Sequence, residues 1–306
     1  MKISLVIPVF NESEVITVLY SRIDKALKKD FPKFQREIIF IDDGSTDNTF
    51  NELKKLHKKD PSVKVIQLSR NFGHQIAISA GLDKTTGDII VMMDGDLQDQ
   101  PEEIIKLYKK LQEGYDVVYA IRKNKKFGFF KRFSSYLFNV LMRRLIKEKI
   151  VINSTIFRIA TKQVIQEVRS LRESNRYLVG IIGWVGFNHA PQPVEHGKRY
   201  KGKTKYTLSQ QLNLALDAIF AYSAYPLHFF LKVGGAILLL DFLFIVFIIF
   251  RKIAYNGLIN PLEIFAAILV ILGGMQIIIL AIIGEYVGRL YIENKNRPLY
   301  IIKSEL

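Results

Sequence analysis

Gly87–Pro101 reads GDIIVMMDGDLQDQP, an apolar run of strand length that ends abruptly in Asp94, Asp96 and Asp99 before a proline. The chain as a whole carries a formal net charge of +15, and carboxylates gathered this closely repel one another unless something positive sits among them. Asp94 and Asp96 lie two apart, and on an extended segment such residues project to one side. Gln98, two further on, adds a neutral oxygen. A hard cation such as Mg²⁺ or Mn²⁺ prefers oxygen ligands and keeps positions for water and substrate phosphates, so one or two carboxylates suffice to hold it. Asp99, just ahead of Pro101 and the helix carrying Glu102 and Glu103, fits a capping role better.

Outward from this stretch the same pattern repeats. KISLVIPVF at the start, REIIFIDD (Arg36–Asp43), VKVIQLS (Val63–Ser69) and YDVVYAI (Tyr115–Ile121) are short, β-branched and continuously apolar, as strands buried on both faces are. Helical patterns separate them at Glu12–Lys29, Asp47–Lys59, Gly73–Lys84 and Pro101–Gly114. Strands alternating with helices predict βαβ units and a mainly parallel α/β sheet, whose ligands bind beyond the carboxyl ends of the strands. The polar motifs fall at those ends: PVFNE (Pro8–Glu12), DDGSTD (Asp42–Asp47) and DGDLQ (Asp94–Gln98). Asp42 and Asp43 suit hydrogen bonds from a base or ribose, and Asp47 suits the cap of the next helix. Arg70, Arg122, Lys131 and Arg132 are available to clamp phosphates or stand as surface charges. No G-x-G-x-x-G follows a strand and no P-loop occurs, which removes the usual handles for hydride transfer and P-loop hydrolysis.

Beyond Tyr225 the composition changes. Leu227–Phe250 and Ile264–Ile283 are each long and apolar enough to cross a bilayer, with Lys232 and Asp241 in the first and a turn-rich loop at 251–261 between them. Two crossings put residues 1–206 and the tail 285–306 on one side. With no signal peptide at the start, that side is expected to be cytoplasmic, giving a multi-pass protein of the cell membrane. Lys198, Arg199, Lys201, Lys203, Lys205, Arg289, Lys295 and Arg297 flank the crossings as positive-inside charges. Absence of cysteine agrees with this. Residues 207–225 form an amphipathic stretch leading into the first crossing, and Phe133, Leu137, Val140, Leu141 and Leu145 recur at helical spacing within a basic segment, which suits either a membrane surface or the core. Gly284 and Gly288 form a small-xxx-small pair for packing helices within the chain or in a homo-oligomer. No zinc spacing, helix-turn-helix or ribonucleoprotein motif points to nucleic acid, leaving lipid and phosphate as the partners of the positive charge.

These residues resemble family 2 glycosyltransferases of the GT-A fold, of the polyisoprenyl-phosphate type that includes dolichol-phosphate mannose synthases and bactoprenol glucosyltransferases. The resemblance rests on VIPVFNE (Val6–Glu12), DDGSTD, RNFGHQIAISAG (Arg70–Gly81), MDGDLQDQP (Met93–Pro101), YKGKTKY (Tyr200–Tyr206) and GEYVGRLYIENKNRPLY (Gly284–Tyr300). It implies a Rossmann-like GT-A domain followed by two transmembrane helices, and inverting transfer of one sugar from a nucleotide donor to a lipid phosphate such as undecaprenyl phosphate. Pro8, Asn11, Glu12, Asp42, Asp43 and Asp94 would meet the nucleotide sugar, and Asp94, Asp96 and Gln98 the metal, Mg²⁺ or Mn²⁺. Arg122 and Arg132 would act beside Asp94 and Asp96 in catalysis and, with Lys131 and Lys205, face the acceptor phosphate. Two crossings resemble the glucosyltransferase branch, so UDP-glucose is the expected donor, with GDP-mannose or a UDP-N-acetylhexosamine as alternatives.

One position departs from the family pattern. Where many members carry an acidic D-x-G-D-F-R-like stretch, this chain has NSTIFRI, with Asn153 and Ile156 in the acidic places. A phosphate monoester is already an anion near neutral pH, so a lipid-phosphate acceptor needs no strong base, whereas a sugar hydroxyl would. A processive synthase would carry Q-x-x-R-W, and a sugar nucleotidyltransferase a Gly- and Arg-rich first loop; neither occurs. A catalytically silent membrane scaffold is the remaining rival, with Asn153 as its only support.

Overall fold

Every strand expected in the first 122 residues forms, and all five enter one eight-stranded sheet. The computed structural model of the chain describes residues 1–122, 156–174, 176–197 and 261–306, together with isolated positions between 234 and 250. In chain order the elements are β1 (Lys2–Val9), α1 (Ile16–Asp30), β2 (Gln35–Asp42), α2 (Thr49–Lys59), β3 (Val63–Leu68), α3 (His74–Asp83) and β4 (Ile89–Met92). A 3₁₀ turn (Pro101–Glu103) then leads into α4 (Ile104–Leu111), β5 (Val117–Arg122), β6 (Arg158–Thr161), α5 (Lys162–Ser170), α6 (Leu178–Trp184), β7 (His189–Val194), α7 (Pro261–Asn294) and β8 (Ile302–Glu305).

The sheet order is β7-β5-β6-β4-β1-β2-β3-β8. β1 pairs in parallel with both β2 and β4, β2 with β3, and β5 with β7. β6 and β8 run antiparallel to their neighbours. Alternate residues feed opposite faces, as the two-residue period of a strand requires: Ile3, Leu5, Ile7, Ile38 and Phe40 join one core with α1, α2 and α4, while Val6, Ile39 and Ile41 join the other with α3, α5 and α6. The chain moves from β1 to β3 in one direction and returns past β1 to β4. Right-handed crossovers therefore put α1 and α2 on one face and α3 on the other. The strand order reverses between β1 and β4, and open α/β sheets bind ligands at such a reversal.

Three strands differ from the sequence expectation. β6 inserts antiparallel between β4 and β5, and β7 adds an edge. Within the expected tail, 285–306, α7 continues to Asn294 and residues 302–305 supply β8, an edge strand that the sequence expectation did not include. Leu306 exchanges backbone hydrogen bonds with Val65 at 2.9 and 3.0 Å, the Ser69 N–H donates to Ile301 O at 2.9 Å, and the Tyr300 hydroxyl donates to Asp83 at 2.8 Å. β8 is four residues long and its partner lies more than 230 positions away, so nothing local in the sequence marks it.

The chain divides into two compact units, Met1–Gln211 with Pro298–Leu306, and Leu212–Arg297. In the second unit α7 is continuously helical over 34 residues, and its Leu272–Asn294 portion is long and apolar enough to cross a membrane. The described positions between 234 and 250 are helical, and Leu239, Leu240, Phe242 and Phe247 among them are exposed. The remainder of the first expected crossing, the loop 251–260 and the stretch 207–225 lie outside the described residues, so one apolar helix of spanning length is described rather than two. A Cβ at Gly284 or Gly288 would meet nothing within 4 Å among the described residues.

Candidate active site

The reversal point opens because β1 outlasts β4. Pairing between them covers Ile3–Val6 against Ile89–Met92, while β1 continues beside β2 as far as Val9↔Asp42. Pro8 lies in that unshared stretch, where its missing N–H leaves no gap in the β1–β4 ladder. Gly95 is the residue that closes in on it: a Cβ there would meet Val9 Cγ1 at 2.8 Å and Pro8 O at 3.0 Å. Only glycine lets the acidic loop rest against the end of β1.

That loop is a turn, not the extended run expected from the spacing of Asp94 and Asp96. β4 ends at Met92, and Leu97 adopts φ 63° while only 3% exposed. A buried bulky residue in the left-handed region is strained. Its side chain is anchored among the core residues, with the polar Asp96 and Gln98 on either side. Asp96 Oδ1 accepts the Gln98 N–H at 3.0 Å. Asp99 is not a helix cap. It is 3% exposed, its Oδ2 accepts the Asp94 N–H at 3.1 Å, and its Oδ1 lies 3.7 Å from His196 Nδ1. The Gly197 N–H donates to Gln98 O at 2.9 Å, so residues 196–197 brace the loop from outside.

The loops after β1 and β2 are tied together. Asn11, at φ 54°, receives the Thr46 N–H on Oδ1 at 2.8 Å and donates its own N–H to Ser45 Oγ at 2.9 Å. The Glu12 N–H donates to Thr49 Oγ1 at 2.9 Å. The N-cap of α2 is Asn48 and not Asp47 as expected; Asp47, one residue earlier, ties the two loops together, its Oδ1 accepting the Thr49 N–H at 3.0 Å and its Oδ2 the Ser13 N–H at 3.3 Å. Asp42 is fully buried, with Oδ1 on the Ser45 N–H at 2.9 Å and Oδ2 3.3 Å from Gln67 Nε2. Asp43, 4% exposed, accepts the Phe72 and Gly73 N–H groups at 2.8 and 3.0 Å. Burial raises its pKa, against the pull of those two hydrogen bonds. The exposed Arg70 lies with its guanidinium 4.0 Å over the Phe72 ring.

His74, the first residue of α3, faces this acidic rim. Its Nε2 is 3.1 Å from Asp94 Oδ1. Burial lowers the imidazole pKa, but contact with Asp94 and the fields of Asp43 and Asp96 outweigh burial and raise it. The ring thus registers the negative potential of three carboxylates brought together from β2 and the β4 loop. Sequence reading assigned His74 no role, because a lone histidine at a helix start carries no signal until the fold sets it opposite Asp94.

Among the described residues no group of three or more His, Asp and Glu side chains forms a ready-made metal cage. The donor set is two hard carboxylates beside a strained turn, which fits Mg²⁺ or Mn²⁺ arriving with a diphosphate, since such ions take one or two protein carboxylates and complete their shell with phosphate oxygens and water. Arg122 ends β5, opposite Val194 of β7; its side chain, with Lys131, Arg132, Asn153 and Lys205, lies outside the described residues. Ile156 is 9% exposed within the core on the α3 side. Arg158, on β6 opposite Met92, is 2% exposed, and burial brings its guanidinium down to about 10, against the fields of Tyr177 and Tyr119.

Comparison with known proteins agrees with this layout. Residues 4–169 match the glycosyl transferase family 2 model. The chain is 38% identical to the glycosyltransferase YkcC of Bacillus subtilis, over 98% of this chain and 93% of that one. It is 37% identical to the bactoprenol glucosyl transferase of Shigella phage SfX, over 99% of each. Among solved structures, glucosyl-3-phosphoglycerate synthase from Mycobacterium tuberculosis, in complex with Mg²⁺ and UDP, superposes with a TM-score of 0.51 at 20% identity, covering 71% of this chain and 76% of that one. The shared architecture is the GT-A fold, and the chain is a glycosyltransferase belonging to glycosyl transferase family 2.

Proposed function

We propose that the protein transfers one glucose from UDP-glucose to a polyisoprenyl phosphate such as undecaprenyl phosphate, with inversion at the anomeric carbon and dependence on Mg²⁺ or Mn²⁺. The observation that carries this reading is end-to-end similarity to a bactoprenol glucosyl transferase in a chain whose carboxylates gather at the sheet's reversal point. Pro8, Asn11, Glu12, Asp42 and Asp43 form the nucleoside end. Asp94, Asp96 and Gln98 would hold the metal, which when bound neutralises charge on the departing diphosphate. The fold neighbour's Mg²⁺ and UDP support that pairing.

The chain's own contribution is alignment and electrostatics. Gly95 and Leu97 set the carboxylates beside the end of β1, and Arg122 and Arg132, with Lys131 and Lys205, neutralise the donor and acceptor phosphates. The acceptor phosphate needs no base to become nucleophilic, which is consistent with Ile156 lying in apolar core where many family members carry an acid. The apolar segments after residue 225 hold the enzyme at the membrane where the lipid resides, with the catalytic unit on the cytoplasmic side.

The test is transfer by purified full-length protein in detergent, with undecaprenyl phosphate, Mg²⁺ or Mn²⁺, and a panel of labelled UDP- and GDP-sugars. Label entering the lipid phase from UDP-glucose, abolished by chelator, is the expected result. Label passing instead to a soluble glycan or only to water overturns the acceptor, and preference for another sugar overturns the donor.

A further inference from the structure

We propose that His74 is a positioning residue for the diphosphate end of the site, holding the Asp94 carboxylate in the orientation that receives the metal. This rests on the donor-site reading above. Asp94 Oδ1 is shut off from solvent and meets His74 Nε2 at 3.1 Å as an ion-pair contact, outside hydrogen-bonding geometry, whereas the Asp94 side chain as a whole is 39% exposed. One oxygen is turned inward against the histidine, and the exposure belongs to the rest of the side chain.

His74 is itself held from the other side of the crevice. Asp43, just past the end of β2, takes the N–H groups of Phe72 and Gly73, the two residues before His74. Gly73 has φ 97° and ψ 151°, and a Cβ there would meet nothing within 4 Å. Its glycine is therefore required by backbone conformation alone. β1 lies between β2 and β4 in the sheet, so the chain of contacts from Asp43 through Gly73 and His74 to Asp94 passes over the end of β1. It links the nucleoside side of the reversal point to the metal side. Both members of the His74–Asp94 pair are more than one-third exposed, and pairs of that kind add little to folding stability. What the contact does is fix a ligand's direction, as a partner behind a metal-binding group does.

The test is Mn²⁺ binding by the full-length protein in detergent with UDP and no acceptor, read by electron paramagnetic resonance, so that turnover plays no part. His74→Ala weakens Mn²⁺ binding by about 10- to 100-fold, the usual scale for removing such a partner, while the melting temperature stays within about 2 °C of the parent. His74→Gln, which keeps an N–H donor of similar reach, stays within about threefold. Gly73→Ala, which strains the backbone without a clash, weakens binding about tenfold through the same link. Unchanged binding in His74→Ala overturns the proposal alone. Equal loss in His74→Gln and His74→Ala overturns the role given to the ring nitrogen that faces Asp94. Absence of Mn²⁺ binding in the parent protein with UDP overturns the donor-site reading and this proposal with it.

Discussion

Glu37 at the amino ends of the central strands and the Asp94–Asp96 pair at the carboxyl ends are carboxylates treated in opposite ways. At the amino ends, Glu37 of β2 is 1% exposed and fully engaged: Lys2 and Lys64 reach it at 3.1 and 2.8 Å, the Ser4 hydroxyl donates to it, and Thr86 donates both its N–H and its hydroxyl at 2.9 Å. Burial pushes its pKa up, but the hydrogen bonds from Lys64, Ser4 and Thr86 prevail and bring it down to about 2. At the carboxyl ends, Asp94 and Asp96 are half-buried in a strained turn, and the histidine beside them is raised by their field. A carboxylate completed by its own fold is a structural part. Carboxylates that leave negative potential at a crevice suit a cation brought by a substrate.

The contrast is broken most severely at the carboxyl end. Asp96→Asn keeps the oxygen that accepts the Gln98 N–H but removes the charge. We expect transferase activity to fall by roughly a thousandfold, near the upper end for losing one electrostatic stabiliser, with the thermal melt unchanged. Glu37→Ala should do the reverse. Removing one partner of a buried ionic network costs about 3 kcal/mol, visible as a lower denaturation midpoint, while activity per folded molecule is retained.

Acid sharpens the same comparison. Folded Glu37 binds its proton more weakly than the unfolded chain does, its pKa being about 2 against an ordinary 4.5, so the unfolded state takes up more protons as the pH falls. The stabilisation is complete above about pH 5 and drains away between 4.5 and 2, amounting to about 3 kcal/mol. Denaturant midpoints measured across that window should slope downward in the parent protein and flatten in Glu37→Gln. The smallest effect is expected for Lys64→Ala. Lys64 is 44% exposed and Glu37 keeps its other partners, so the loss should be about 1 kcal/mol, again in stability and not in activity.

Legibility followed the range of the interactions. β1 to β5 and the helices between them were readable because each is a run of residues whose period matches its own burial. β6, β7 and β8 are four, six and four residues long, and their pairing partners are remote or lie across an intervening strand. The positions of Asp94 and Asp96 were legible as a cluster of like charges ending an apolar run. Their geometry was misread, because the two-residue period of a strand was carried past Met92 into a turn. Asp99 resembled a cap by its place before Pro101, yet its carboxylate turns back to the Asp94 N–H.

Sequence alone determined the α/β alternation, the carboxylates at the strand ends and the apolar C-terminal region, since hydrophobic period and charge are local properties of the chain. Family membership was legible too, as a resemblance carried by short motifs. Tertiary structure alone decided that β4 stops short of β1, that Leu97 is buried in a left-handed turn, that residues 302–305 return to the sheet, and that His74 faces Asp94. Each of these depends on which distant segments share space, which sequence spacing does not encode.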